Sequence, residues 1–522
     1  MTPRLLRNLS RLWVIARVMA RHDALFLLDK VGVAAPVVGA ARLVSRRGAP
    51  GRPGQRLARA LTELGPTAIK FGQALSIRTD LLGEEVATDL TELQDQLPPF
   101  PFEEVRRIVE SELDRPLDEV FLHFEPEPVA AASIAQVHFA ITPPDEHYPE
   151  GRKVAVKVLR PGVDEAFRRD LALMDWLADL AETTQPALRR LKPSETVRTF
   201  EASVHMEMDL RFEAAAAGEM AENFAGDETF RVPDVDWTRT AQRVMTLERI
   251  VGTPVDEVDR LVAAGLDPLE VIRRAANAFF NMVFRDGFFH ADMHPGNLFV
   301  EPDGTVVAVD FGIMGRIDHT TRRTLGQMLL GFLTADYRRV AEAHFVAGWV
   351  PSDQSVEAFT QASRSIAEPI MGKPLAEISI ARLLAQLFQV TETFHMEAQP
   401  SLLMLQKSML VTEGVGRRVA PTVNMWELAQ PLIESWMADN MGPVGRMREG
   451  METLQGTAER IPRILAHADR AAALLTADGL RLHPDTVKAM RPKRSNAVLM
   501  ILPWMLVAVL GTLLAMQITV GW

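Results

Sequence analysis

Apolar residues recur at three- and four-residue intervals from Ala58 to Glu119, from Asp164 to Glu222 and from His319 to Pro484, which predicts helices there. Between these stretches the pattern shortens to strand-like alternation. Gly65-Pro66 marks a helix start and Pro98-Pro99 a break, while Pro186 and Pro193 interrupt the second helical stretch. Alternation places strands at Ile134 to Phe139, Val154 to Leu159 and Arg243 to Ile250, and a further helix ends before Asp286-Gly287. Leu298 to Val300 and Thr305 to Val309 flank Pro302-Asp303-Gly304 and predict a hairpin. Nothing in the chain reads as an internal repeat or a low-complexity tract.

The two ends differ from this middle. Near the N-terminus, Arg4, Arg7, Arg11 and Arg17 interleave with Leu5, Leu6, Trp13, Val14 and Ile15, a basic amphipathic pattern. It suits a peripheral membrane or docking helix, and equally an ordinary solvated helix face. Ala497 to Met516 carries no charge and follows Arg491, Lys493 and Arg494. About 20 apolar residues are enough for a bilayer core of roughly 30 Å, so this stretch predicts a C-terminal anchor with the body on the cytoplasmic side. A buried core helix is the alternative.

Composition narrows the chemistry. The chain has 522 residues, which leaves room for several domains, and no cysteine, which excludes disulfides, thiolate metal sites and cysteine nucleophiles. A net charge of -11 is a poor footprint for nucleic acid. A mean hydropathy of +0.02 fits a soluble body averaged with one apolar segment.

The strongest chemical pattern is His290-Ala291-Asp292-Met293-His294-Pro295-Gly296-Asn297 followed by Asp310-Phe311-Gly312. Phosphoryl transfer needs a carboxylate beside the acceptor and oxygen ligands for Mg²⁺ beside the phosphates. Asp292 suits the first role, and Asn297 with Asp310 suits the second, in the order and spacing of kinase-like folds. A metal site built from His290, Asp292 and His294 is a rival that Pro295-Gly296 disfavours by breaking the element. Lys157, in the apolar run Val154 to Val158, needs an anion unless its head snorkels from an edge strand. Carboxylates that could meet it are Glu207, Asp209 and Glu213. Asp209 and Glu213 stand four apart, a like-charge pair that wants a cation nearby, and Glu207 with Arg211 is a competing helical pair. The segment Val244 to Ile250 resembles a hinge between kinase lobes, with Met245 behind an adenine and the backbone of Leu247 to Arg249 facing it.

Six motifs in order resemble the UbiB/ADCK family of atypical kinases, and its bacterial UbiB branch most. They are Lys70-Phe71-Gly72-Gln73, the alanine-rich turn Ala130-Ala131-Ala132-Ser133, Val154 to Lys157, Glu207-Met208-Asp209, His290 to Asn297, and Asp310-Phe311-Gly312. The match is close over Leu61 to Arg316 and looser elsewhere. It implies an α+β protein-kinase-like two-lobe fold, a helical N-terminal extension over the site where peptides ordinarily bind, ATP and Mg²⁺ as cofactors, membrane association and a requirement in ubiquinone synthesis. No Ala-Pro-Glu follows Asp310, so the activation segment of ordinary kinases is not recognisable.

These readings combine into six regions: an amphipathic segment at 1–60, the extension at 61–125, lobes at 126–250 and 251–390, a helical region at 391–490 and a transmembrane helix at 497–517. Catalysis falls to Asp292, Lys157 and Glu207, with Glu207 the expected partner of Lys157. ATP falls to Lys157, Ala130, Ala131, Ala132, Ser133, Met245, Leu247 and Arg249, and metal to Asn297 and Asp310. Lys70, Gln73, Asp209 and Glu213 form an occluding set, Lys70 meeting Glu207 or Asp209. Alanine in place of glycine in the nucleotide turn limits backbone approach to phosphates and implies slow or absent transfer to protein. Expected partners are membrane lipids, quinone precursors and other enzymes of ubiquinone synthesis, without nucleic acid and with a homodimer left open. The expected location is the bacterial inner membrane. A lipid or small-molecule kinase and a nucleotide-switched scaffold are the rival functions.

Overall fold

The computed structural model describes residues 3–25, 50–76, 82–91, 97–184, 193–369 and 400–420, with a few positions between 386 and 396 and between 431 and 480. Among the described residues four helices come first: α1 (Pro3–Arg21), α2 (Pro53–Leu64), α3 (Pro66–Ser76) and α4 (Glu84–Thr91). They close on Val18, Leu57, Leu61, Ile69, Val86 and Leu90, all buried. Gly65 turns the chain between α2 and α3 at φ 101°, a left-handed value that glycine adopts without a Cβ clash. Pro66 then opens α3, where its missing N–H has no helical partner to lose.

The basic helix α1 is a docking helix. Arg11 donates from Nε and Nη2 to the two carboxylate oxygens of Asp170, each at 2.8 Å, and also to the Leu64 carbonyl at 3.1 Å. A bidentate fork of this kind fixes orientation as well as position.

α5 (Phe102–Leu113) and the short α6 (Leu117–Val120) lead into an antiparallel sheet. Its strands are β1 (His123–Phe124), β2 (Ala130–Ala131), β3 (Ala135–Ile141), β4 (Lys153–Leu159) and β6 (Val244–Glu248). The order is β1-β3-β4-β6, with β2 paired to β3. The two-residue period of β4 sorts its side chains. Val154, Val156 and Val158 are fully buried against Val105, Ile108 and Val109 of α5. Ala155, Lys157 and Leu159 therefore face the other side, where the main core and the cleft lie.

Among the described residues three helices follow: α7 (Val163–Thr184), α8 (Pro193–Glu207) and α9 (Leu210–Asn223). Pro193 opens α8. A second break, absent from the hydrophobic pattern, falls at Met208-Asp209, where the Asp209 side chain accepts the Arg211 N–H and caps α9.

The second lobe carries β5 (Phe230–Arg231), β7 (Thr253–Pro254), α10 (Val258–Ala263) and α11 (Pro268–Phe280), which runs into a π turn at Asn281–Asp286. Then come β8 (Phe288–His290), β9 (Leu298–Val300), β10 (Val306–Ala308) and β11 (Met314–Arg316). β9 and β10 form the expected hairpin, with Val300 opposite Val306, inside a sheet of order β5-β10-β9-β7. β8 pairs with β11. Helices α12 (His319–Leu333), α13 (Tyr337–Val346), α14 (Val356–Ala367) and α15 (Pro400–Val419) follow. Leu405, Val415 and Val419 of α15 enter the same core as Phe167, Phe230, Phe289 and Phe311. The stretch expected to stay helical to Pro484 also contains a strand pair, β12 (Leu475–Thr476) with β13 (Gly479–Leu480).

This is the expected α+β two-lobe fold with a helical N-terminal extension, and one part of the expectation is corrected. No helix among the described residues is long and apolar enough to cross a membrane, and 497–517 lies outside the described residues. The C-terminal transmembrane helix is accordingly withdrawn from the fold, and with it the membrane attachment and inner-membrane location argued from it.

His344 shows what the helical layer encloses. It is 9% exposed, hydrogen-bonds the Val340 carbonyl through Nδ1 at 2.8 Å, and packs on the rings of Phe359 and Trp349. Burial pushes its pKa down to about 4. An unfolded histidine titrates near 6.5, so protons favour the unfolded state as pH falls from about 6.5 to 4 and stability is lost in that window. Replacing His344 by Gln removes this dependence. Between pH 7 and pH 5, amide-exchange stability of α13 relative to wild type should shift by roughly 2 kcal/mol in favour of the variant.

Candidate active site

Lys157 stands opposite Val137 and Met245 in the sheet, on the cleft side of β4. Its Nζ donates to both oxygens of Glu213, at 2.7 and 2.9 Å, and to Asp310 Oδ1 at 3.0 Å. Glu213 comes from the first turn of α9 and its side chain is 9% exposed. Its burial raises the carboxyl to about 7 against the pull of Lys157. Burial also works against the Lys157 ammonium, but Asp310 and Glu213 outweigh it and raise its pKa. Lys157 holds the half-exposed Asp310 well below the usual carboxylate range. Asp310 adopts φ 62°, tolerable for a residue with a short polar side chain. A Cβ at Gly312 would stand 3.3 Å from Asp310 Oδ1 and 3.9 Å from Glu213 Oε2, so glycine keeps the space beside these carboxylates open.

The expected pairing of Lys157 with Glu207 is corrected. Glu207 is the last residue of α8, on the far side of the Asp209 break, and its Oε2 lies 3.1 Å from Lys70 Nζ. The contact is an ion pair out of line for a hydrogen bond. Lys70 also lowers the pKa of Asp310, so it reaches the same charge cluster from α3. The occluding set is therefore Lys70 with Glu207, whereas Glu213 belongs to the Lys157 centre. Asp209 meets neither lysine; it binds Arg211 at 2.8 and 2.6 Å. The competing Glu207 and Arg211 pair is replaced by this one. The like-charge pair at 209 and 213 was the available signal, and its two members take two different cations. Gln73 lies half-buried on α3, its carbonyl accepting the Ser76 hydroxyl.

The loop carrying Asp292 is held from both sides. His290 is fully buried, donates Nε2–H to the Val309 carbonyl at 3.1 Å and accepts the Asp292 N–H at Nδ1, also 3.1 Å. Both ring nitrogens are engaged and burial lowers the imidazole pKa, so His290 is a neutral brace, which removes the rival metal reading. His294 Nδ1 accepts the Gly296 N–H. Among the described residues no group of three His, Asp or Glu is arranged around a metal. Asn297 donates Nδ2–H to the Asp292 carbonyl at 3.0 Å, and its own carbonyl accepts the Val309 N–H at 2.9 Å. The hairpin thus brings Asn297 beside Asp310, leaving an amide oxygen and a carboxylate as hard donors of the kind that Mg²⁺ prefers.

The alanine turn is closed. Ala130 and Ala131 pair with Val137 and Gln136, and Ala132 N–H donates to the Ala135 carbonyl at 2.7 Å. Ser133 is fully buried, with its hydroxyl unpartnered. Met245 is fully buried in the main core. At the expected hinge, the N–H groups of Glu248 and Arg249 already donate to the carbonyls of Asp234 and Lys153. These two N–H groups, expected to face the base, are therefore already engaged within the protein.

Comparison with known proteins identifies the family. Residues 92–344 match the ABC1 atypical kinase-like domain and residues 363–424 the UbiB helical domain. A curated relative, "Probable protein kinase UbiB" of Marinobacter nauticus, is 43% identical over 415 residues, covering 79% of this chain and 75% of its own. The chain belongs to the UbiB/ADCK family. A solved complex of Rv3197 with erythromycin from Mycobacterium tuberculosis is 29% identical over 72% of this chain and 93% of that one, with a TM-score of 0.47. As a UbiB/ADCK member the protein is an atypical kinase-like enzyme of the ATPase or phosphotransferase type, and ATP with Mg²⁺ are the cofactors of its class.

The two glutamates should separate by kinetics. Glu213→Gln leaves Lys157 without its buried counter-charge and should lower kcat for phosphate release from ATP by about tenfold or more. Glu207→Gln should leave Lys157 in place and change kcat by less than about threefold. Equal losses in both variants would contradict the assignment.

Proposed function

We propose that the protein binds Mg²⁺-ATP between its two lobes and hydrolyses or transfers the terminal phosphate in support of ubiquinone synthesis. The observation that carries this reading is the Lys157 ammonium held at once by Glu213 and Asp310, with Asn297 beside them. In this reading Lys157 meets phosphate oxygens, and Asn297 with Asp310 would hold the metal. A bound Mg²⁺ supplies charge neutralisation to the phosphates. Asp292, on a loop braced by His290 and Asn297, orients the acceptor hydroxyl or water. Ser133 and the alanine turn cover the phosphates, and Met245 lies behind the base.

A large protein acceptor is disfavoured. β11 pairs with β8 directly after Gly312, and Asp318 caps α12 by accepting the Thr321 N–H, so a short connection stands where kinases that act on proteins carry a peptide platform. Lys70, paired with Glu207, adds to the positive charge that lowers the pKa of Asp310. Water or a small acceptor, with quinone precursors as the relevant class, fits this arrangement better.

Two substitutions distinguish the roles. Asp310→Asn should abolish Mg²⁺-dependent binding of a fluorescent ATP analogue, whereas Asp292→Asn should retain binding and lose phosphate release by about a hundredfold. Retention of both binding and quinone production in Asp310→Asn would refute the reading.

A further inference from the structure

Arg160 follows β4 directly, three residues after Lys157. Its guanidinium gathers three backbone carbonyls that are distant in sequence: Ala132 at 2.9 Å from Nε, and Leu97 and Pro98 at 3.3 and 2.9 Å from Nη2. It also lies over the Phe100 ring, 5.5 Å from its centroid. The first carbonyl belongs to the alanine turn. The other two belong to residues 97–100, which connect the N-terminal helical block to α5.

A second fastening lies beside the first. Gln136, 1% exposed, accepts the Phe100 N–H at 3.0 Å and returns a hydrogen bond to the Phe100 carbonyl at 3.3 Å. It donates as well to His138 Nε2, whose Nδ1–H is bound to the Glu125 carbonyl. Gln136 is the strand partner of Ala131. The connecting segment is thus strapped to both arms of the turn, at Ala132 through Arg160 and at Gln136. Arg160 is held in its turn: its N–H donates to the Ile134 carbonyl, and its own carbonyl accepts from Arg243 Nη2.

A planar guanidinium is suited to this task because its donors leave in fixed directions, so carbonyls bound to it are fixed relative to one another. The block at the other end of the segment is the one whose α3 carries Lys70. We propose that Arg160 is a positioning residue that locks the alanine turn to the N-terminal block, so that nucleotide affinity and the Lys70–Glu207 contact are coupled through residues 97–100. The proposal rests on the reading of that turn as the phosphate cover of an ATP site. A turn ordered before nucleotide arrives binds it without the added ordering loss; a loosened turn must be ordered at binding.

The test uses the purified full chain, a fluorescent ATP analogue with Mg²⁺, and phosphate release. Arg160→Met should raise Kd and KM about tenfold, the effect of one charge-assisted hydrogen bond, with a far smaller change in kcat. Arg160→Lys, which keeps a charged donor, should recover part of the affinity. In a cycle with Lys70→Ala, the double variant should depart from the product of the single effects by about threefold or more. An unchanged Kd in both Arg160 variants, or effects that simply multiply, would overturn the coupling while leaving the ATP site intact. Failure of the wild-type chain to bind Mg²⁺-ATP would overturn the site reading, and the coupling with it.

Discussion

One ammonium organises the catalytic centre. Lys157 sits at a boundary between lobes where a lone charge would be expensive, and it is tolerated because Glu213 and Asp310 arrive from two other elements. Each carboxylate imposes a condition on the chain. Glu213 must lie one turn into α9, which requires the Asp209 cap, and Asp310 must turn back at positive φ, which requires space at Gly312. Strand register, helix start and loop conformation are thereby made to agree on one point in space. Lys70 adds a second cation to the same cluster and so brings the N-terminal block under the same electrostatic constraint.

Much of this is legible from residue order alone. The alternation of Val154, Val156 and Val158 around Lys157 is enough to place the lysine on the opposite face from the valines. The spacing from Asp292 to Asn297, and the hairpin leading to Asp310, are enough to predict that Asn297 and Asp310 come close together, as the hairpin pairing shows. What stays hidden depends on local competition that periodicity does not register. Asp209 sits inside a stretch of good helix formers, yet its side chain bonds the backbone and starts a new helix, and this turns Glu207 and Glu213 toward different lysines. The hinge donors escape sequence reasoning for a related cause, since the carbonyls of Asp234 and Lys153 that occupy them come from remote segments.

Electrostatic inference from composition has a narrower reach. An arginine-rich amphipathic helix has the same sequence signature whether it meets a lipid surface or a carboxylate of its own protein; that Arg11 meets Asp170, 159 residues downstream, could not be read from α1 itself. The apolar C-terminal stretch illustrates the converse limit. Hydropathy describes a segment's preference for an apolar medium but does not say which one, and the described helices give no support to a membrane reading.

α15 belongs to a family region distinct from the kinase-like domain, yet Leu405, Val415 and Val419 pack in the core that surrounds Phe289 and Phe311. The boundary drawn by sequence families is therefore not a boundary in packing. During synthesis, the residues that bear the chemistry leave the ribosome well before the helix that completes their support. A chain lacking α15 would leave the apolar side chains that pack against Leu405, Val415 and Val419 without that cover.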